Sequence, residues 1–372
     1  MNTIVHVVAA RPNFIKMAPV IDALSSRANL RQVIVHTGQH YDRKLSHDIR
    51  RDIEFPIPDH FLGVGAGTHA EQTGKTMIEF ERLLADEPSS LVVVAGDVNA
   101  TLACALAAAK LQIPIAHVEA GLRSSDWAMP EEINRVLTDR VSNLLFTHSP
   151  EARGNLVAEG IDPGRIHYVG NTMIDTLLRA EPSARALRAW RRYGAEAGEY
   201  VLVTLHRPSN VDDGERLGRI TQELVKLRRR FHVIFPAHPR TTAALSSVGG
   251  VDQLTRAGVT CLDAIGYLEF LSLEVGAGAI ITDSGGVQEE ASALGVSCYT
   301  LRTNTERPIT VTHGTNQLLG HDPASIQEVR PKRHGRSWRP SIPLWDGEAG
   351  RRVAEVITTA GILHAVDEEL AV

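Results

Sequence analysis

Residues 282–290 read TDSGGVQEE, Thr282 to Glu290. Ahead of them Ala279-Ile280-Ile281 is short and apolar, as a buried strand is. Behind them Val287 to Leu294 has the length and composition of a helix. A strand, a polar turn, two glycines and a helix start make a place where backbone N–H groups point outward together. The helix N-terminus adds partial positive charge, so an anion such as phosphate is the expected guest. The same residues also satisfy an ordinary strand-to-helix turn, with Ser284 as the cap and Gly285 chosen for backbone freedom. The choice between the two readings depends on the rest of the chain.

Outward from this stretch, strand-length apolar runs alternate with helix-length segments. Ile4–Ala9, Gln32–His36, Leu91–Ala95 and Ile113–Val118 read as strands in the first half, with helices over about 13–26 and 100–110. The pattern restarts with Tyr200–Leu205, Phe231–Pro236, Val259–Asp263, Ala279–Ile281 and Val296–Leu301. Continuously apolar strands separated by helices predict parallel sheets covered on both faces. The Arg- and Ala-rich stretch 181–199 reads as a long helix and connector. The expected organisation is therefore α/β with two domains, 1–180 and 181–345, and a C-terminal helix within 346–372 that packs on either one.

Polar residues collect where these strands end. Arg11, Gln39-His40, Gly96-Asp97, Glu119, His206-Arg207, His238-Pro239-Arg240 and Asp283-Ser284 each follow a strand. Open α/β sheets bind ligands at that edge, and two such sheets facing each other would line one cleft. Helix capping accounts for one or two of these seven placements but not for the set.

Composition narrows the class. The chain has 372 residues, 43% hydrophobic and 22% charged, with net charge −5. This is the make-up of a globular protein and lacks the basic excess of a nucleic-acid binder. No apolar run approaches the ~20 residues that span a bilayer. Cys104, Cys261 and Cys298 stand apart in apolar surroundings, as buried thiols of a reducing compartment do. The first residues read directly as a strand, and the expected location is cytoplasmic. Motifs for zinc ligation, Walker A, dinucleotide and serine-hydrolase sites are missing. The run Lys332–Arg339 reads as a solvated basic loop.

The polar residues sort by chemistry. Arg11, His206 and Ser284-Gly285-Gly286 suit a diphosphate. Glu290, one helical turn past the glycines, suits ribose hydroxyls, whereas Glu289 reads as a solvated helix glutamate. Asp97 and Glu119 end strands expected to be neighbours. In MPEEINR, Glu131 and Arg135 share a helix face and are placed to pair, while Glu132 reads as complementing the helix dipole. Moving a proton off one face and onto another calls for more than one carboxyl group.

The ordered segments ARPNFIKMAP, TGQHYD, GDVNAT, HVEAGLR, MPEEINR, GNTMIDTL, LVTLHRPSN, PAHPRT, TDSGGVQEE and NTERP resemble the non-hydrolysing UDP-N-acetylglucosamine 2-epimerases, over about residues 4–357. The resemblance implies a fold like that of GT-B glycosyltransferases, a homodimer, and interconversion of UDP-GlcNAc and UDP-ManNAc. It implies elimination of UDP across C1–C2 to a 2-acetamidoglucal and readdition, with no nicotinamide or metal cofactor. Asp97, Glu119 and Glu131 would be the acid–base groups. Arg11, His206, Ser284, Gly285, Gly286 and Glu290 would hold UDP. Lys16, Gln39, His40, Arg135, His238, Glu306 and Arg307 match further active-site or regulatory positions. Some family members are activated by a second UDP-GlcNAc, near which Gln39 and His238 would lie.

Two departures bear on the sugar. Asn13 stands where the family often has Glu, and Pro208-Ser209 where it often has Arg-Glu. Both variants occur in a branch that resembles epimerases of UDP-2,3-diacetamido-2,3-dideoxyglucuronic acid. A GT-B glycosyltransferase and a non-catalytic nucleotide-sugar sensor are the competing readings. Neither explains three carboxylates in the N-terminal half.

Overall fold

A computed structural model of the chain describes residues 1–38, 49–332 and 338–363. It divides into two compact units. One comprises Met1–Leu178 with the chain from Pro343 onward, and the other is Arg179–Ile342. The chain returns to the first unit through the helix Ala349–Thr359, which packs against the helix Arg11–Ser25. A Cβ on Gly350 would lie 2.5 Å from the Pro19 carbonyl oxygen, so that contact requires glycine.

The first unit holds a seven-stranded parallel sheet in the order β3-β2-β1-β4-β5-β6-β7. Its strands are β1 (Asn2–Val8), β2 (Leu30–His36), β3 (His60–Phe61), β4 (Leu91–Ala95), β5 (Ile115–Val118), β6 (Leu144–Thr147) and β7 (Ile166–Tyr168). The second unit holds β8 (Tyr200–Thr204), β9 (His232–Pro236), β10 (Thr260–Leu262), β11 (Ala279–Thr282), β12 (Cys298–Thr300) and β13 (Asn316–Leu318). Their order is β10-β9-β8-β11-β12-β13, again parallel. Every residue of β4, LVVVA, is buried, as expected for a strand with helices on both faces.

In both sheets the order in which strands are added reverses once, between β1 and β4 and between β8 and β11. At such a reversal the flanking helices leave on opposite faces and open a crevice beyond the strands' carboxyl ends. Four strands, β3, β6, β7 and β13, have no counterpart in the sequence reading. They have two to four residues each. At that length pairing with a neighbour, not periodicity, defines a strand. The long helix also begins earlier than expected, at Thr172, and ends at Leu187. Arg188 then turns left-handed at φ 48°.

Among the described residues no helix is long and apolar enough to cross a membrane. Cys104 and Cys298 are buried and Cys261 half-buried, all three as thiols.

Candidate functional site

In the first unit the strand ends at the reversal carry two ion pairs. Lys16, in the first turns of helix Arg11–Ser25, donates from Nζ to Glu119 Oε1 at 2.7 Å, with both side chains under 10% exposed. Glu119 follows β5 in the left-handed region, φ 69°, a strained setting for a residue with a side chain. Gly96, after β4, is also left-handed, and a Cβ there would lie 3.1 Å from Lys16 Nζ. Asp97 accepts from Arg135 Nη1 at 2.7 Å and is 22% exposed. Asp97 and Glu119 thus end hydrogen-bonded strands, and each meets its own cation.

The helix Pro130–Val141 supplies most of what holds these groups. Arg135 bridges Asp97 and Glu132, to which it donates from Nη2 at 2.8 Å and Nε at 3.1 Å. This corrects the expected Glu131–Arg135 pair. Position 132 turns inward, where it also accepts from the backbone N–H groups of Ser124 (3.0 Å) and Ser125 (2.8 Å). Burial raises the Glu132 carboxyl, but those amides and Arg135 outweigh it and hold it below the usual carboxylate range. Glu132 is therefore an internal anchor and not a surface complement to the helix dipole. Glu131 is half-buried one residue before it. Asn134 donates to the Asp97 carbonyl at 2.9 Å and to Asn99 Oδ1 at 3.2 Å. Neither asparagine carries a charge or a spacing that would single it out in sequence.

Asn13, one of the two departures, is buried with both ends of its amide in use. Oδ1 accepts from the Ala10 N–H at 2.8 Å, and Nδ2 donates to the Ala95 carbonyl at 2.8 Å. Ser209, the other, is exposed. Arg11 is half-buried at the first position of its helix.

In the second unit the reversal is tied together by Asp283, which the sequence reading did not rank as a site residue. Its fully buried carboxylate accepts from the N–H groups of His206 and Arg207, from Asn210 Nδ2 at 3.0 Å, and from His206 Nδ1 at 3.1 Å. Burial acts to raise Asp283, yet His206, Asn210 and the Arg207 amide together hold it below its ordinary value. The His206 ring, gripped at Nδ1, remains 42% exposed.

The helix starts at the glycine pair itself, as Gly285–Leu294. Ser284 occupies the cap position, but its side chain makes no capping hydrogen bond. The explanation of that serine as an N-cap donor partner is thereby corrected. Gly285 has a packing reason instead. A Cβ there would lie 2.1 Å from Arg307 Nη1 and 3.0 Å from Glu306 Oε1. Arg307 donates to Glu306 at 2.6 Å and pairs with Glu289 at 3.1 Å. Glu289 is fully buried, which corrects its reading as a solvated helix residue.

Glu306 also receives Arg302 at 2.8 Å and Arg207 at 3.2 Å. Burial opposes its charge, but Arg307, Arg302 and Arg207 together hold it well below the usual carboxylate range. Three guanidinium groups thus meet the carboxylates of Glu289 and Glu306 beside the start of the glycine helix, where the backbone N–H groups and the helix dipole favour an anion.

Glu290 is buried near Tyr267, whose hydroxyl is pushed well up by burial, with the Glu290 charge adding to that effect. Behind it, burial pushes Glu274 well above the usual carboxylate range, and the Glu290 charge adds to that effect. His238 is exposed and caps the helix Pro239–Ser247, its Nδ1 accepting from the Arg240 N–H at 3.3 Å. Gln39, His40 and positions 333–337 of the basic run lie outside the described residues. Among the described residues no group of three His, Cys, Asp or Glu side chains is placed to hold a metal ion.

A family model described as UDP-N-acetylglucosamine 2-epimerase matches residues 22–358. The UDP-N-acetylglucosamine 2-epimerase of Methanocaldococcus jannaschii is 42% identical over 95% of this chain and 98% of its own. The UDP-2,3-diacetamido-2,3-dideoxy-D-glucuronate 2-epimerase of Pseudomonas aeruginosa is 40% identical over 95% of this chain and 99% of its own. The crystal structure of the M. jannaschii UDP-GlcNAc 2-epimerase in complex with UDP-GlcNAc and UDP superposes with a TM-score of 0.88 at 41% identity, covering 96% of this chain and 99% of that one. A trehalose 6-phosphate synthase from Burkholderia multivorans, 13% identical, has a TM-score of 0.57 over 97% of this chain and 96% of its own, a likeness of fold alone. The fold is GT-B-like, with two Rossmann-like domains.

Proposed function

The chain belongs to the UDP-N-acetylglucosamine 2-epimerase family, and from that premise we propose that it interconverts UDP-GlcNAc and UDP-ManNAc. The observation that carries the reading is the pair of carboxylates on neighbouring strands, Asp97 and Glu119, each meeting a cation at 2.7 Å. A transferase would need an acceptor pocket in that half of the chain in place of this carboxylate set.

The proposed chemistry balances without an external reagent. C2 of the sugar is not next to a carbonyl, so its proton leaves together with the C1–O bond to UDP. The products are a 2-acetamidoglucal and bound UDP. Readdition returns a proton to the opposite face of C2 and UDP to C1. Asp97, Glu119 and Glu131 are the groups assigned to this proton traffic. Lys16 and Arg135 are assigned to hold the first two and to meet the sugar. In the second unit Arg11's counterpart in role is His206, which contacts the diphosphate with the Ser284-Gly285-Gly286 turn. Glu290 takes the ribose hydroxyls, and Glu306 with Arg307 braces the turn. Arg11 itself is assigned to the diphosphate, and Gln39, His40 and His238 to the remaining contacts of the nucleotide sugar.

A homodimer is part of the proposal. The exposed Trp127 and the exposed Ile133 and Leu137, four residues apart on one helix face, give it apolar surface to cover. Unpaired thiols support a cytoplasmic location.

The test is incubation with UDP-GlcNAc in D2O, followed by proton NMR. UDP-ManNAc carrying deuterium at C2 is expected. Free ManNAc with UDP would replace the reading by a hydrolysing one. The second reading, a 2,3-diacetamido glucuronate sugar, is favoured by the 40% identity of the P. aeruginosa enzyme. Turnover of that substrate but not of UDP-GlcNAc would establish it.

A further inference from the structure

Three successive carbonyls where β4 ends each accept a hydrogen bond from a side chain. The Ala95 oxygen takes Asn13 Nδ2 at 2.8 Å and Thr101 Oγ1 at 3.0 Å. The Gly96 oxygen takes His117 Nε2 at 2.8 Å. The Asp97 oxygen takes Asn134 Nδ2 at 2.9 Å. The peptide planes on both sides of Asp97 are thereby set before any substrate arrives.

His117 differs from the other donors. Its ring is fully buried, and its Nδ1 lies 2.7 Å from Asp139 Oδ1. Asp139 is an acceptor throughout, since Oδ2 takes the Gly121 N–H at 3.1 Å and Arg123 at 2.8 Å. A backbone carbonyl can only accept. Both ring nitrogens of His117 therefore face acceptors, and a neutral imidazole has one N–H to offer. Arg123 continues the chain to Glu159 at 2.6 Å, which is 37% exposed. Glu159, Arg123, Asp139 and His117 thus form a continuous chain of contacts that ends at the Gly96 carbonyl.

We propose that His117 donates from both ring nitrogens and is a positioning residue for proton transfer: oriented by Asp139, it fixes the Gly96 carbonyl and so the direction in which Asp97 is presented. Gly96 stands in the left-handed region at φ 69°, where its peptide would otherwise be free to rotate. The proposal rests on the reading of Asp97 as an acid–base group. A displacement of such a group by about 1 Å is enough to cost about a hundredfold in rate.

The experiment combines nitrogen-15 NMR of the histidine rings with kinetics. In the wild-type protein both His117 nitrogens are expected to give the signals of protonated nitrogens. A signal from one bare ring nitrogen would overturn the proposal without reference to activity. His117→Leu is expected to lower kcat by about a hundredfold while KM and UDP affinity stay at wild-type values. His117→Gln, which keeps one N–H directed at Gly96, is expected to recover most of the loss. Wild-type kcat in His117→Leu, or no recovery in a folded His117→Gln, would overturn it. If His117→Leu does not fold, the spectrum and His117→Gln decide. Wild-type protein that turns over no nucleotide sugar would instead sink the reading of function and leave the ring assignment standing on its spectrum.

Discussion

Gly285 and Arg307 approach so closely that a methyl group on residue 285 would sit 2.1 Å from the guanidinium nitrogen Nη1. That contact is the reason for the first glycine of TDSGGVQEE. Gly285 lies at the first position of a helix and is not left-handed, so backbone freedom does not explain it. Gly285→Ala is expected to displace Arg307 from Glu306 and Glu289, so that Glu306 keeps Arg302 and Arg207 but loses its third guanidinium partner. Losing one partner in such a buried network costs about 1–3 kcal/mol. Urea unfolding should show a loss of that order, and calorimetry should show weakened UDP binding. An alanine variant with unchanged stability would mean that Arg307 moves away without penalty.

The buried Lys16–Glu119 pair allows a double-mutant cycle. Lys16→Met removes the cation that Glu119 meets at 2.7 Å, and Glu119→Gln removes the charge that Lys16 meets. Each single change is expected to destabilise by about 3–5 kcal/mol, and the double change by much less than the sum, because it leaves no unpaired charge. Additive losses would show that the two side chains do not depend on each other.

Turnover and nucleotide binding should separate. Asp97→Asn is expected to abolish epimerisation while UDP binding, measured by calorimetry, survives. His206→Ala is expected mainly to weaken UDP binding, raising the Kd for UDP. The structural basis is that Asp97 is held entirely within the first unit and His206 within the second. Loss of UDP binding in the Asp97 variant would contradict the assignment.

Asp175 gives a dependence on pH. Burial, the larger influence, raises its carboxyl to about 6 against the hydrogen bonds it accepts from the amides of Gly350 and Ala349. A carboxyl raised in the folded state binds more protons there than when unfolded. Its favourable contribution is therefore complete below the unfolded value of 3.8 and is lost as pH rises through 6. Asp175→Asn keeps an acceptor for Gly350 without a charge. It is expected to flatten the decline in unfolding free energy between about pH 4 and about pH 7, a decline of about 2–3 kcal/mol in the wild type. An equal decline in both proteins would place the titration elsewhere.

Much of this architecture is legible in the chain. The runs 91–95, 200–203 and 279–281 are buried on both faces, and nothing charged interrupts them. Hydrophobic burial of that kind is written one residue at a time, so β4 has the bounds its composition predicts. The polar residues after β1, β4, β5, β8 and β11 also announce themselves, because a charge directly after a buried strand has few structural uses.

What the sequence determined alone was therefore the alternation of elements and the strand ends at which chemistry collects. Only the tertiary structure decided partners. Arg135 joins Glu132 and Asp97 rather than Glu131, because position 132 turns inward onto the Ser124–Ser125 amides. Asp283, Asn134, His117 and Glu289 acquire their roles from contacts with residues 18 to 77 positions away. Hydrogen bonds and ion pairs form between side chains that folding brings within about 3 Å. Local sequence carries no record of that distance, whereas hydrophobicity belongs to each residue from the start.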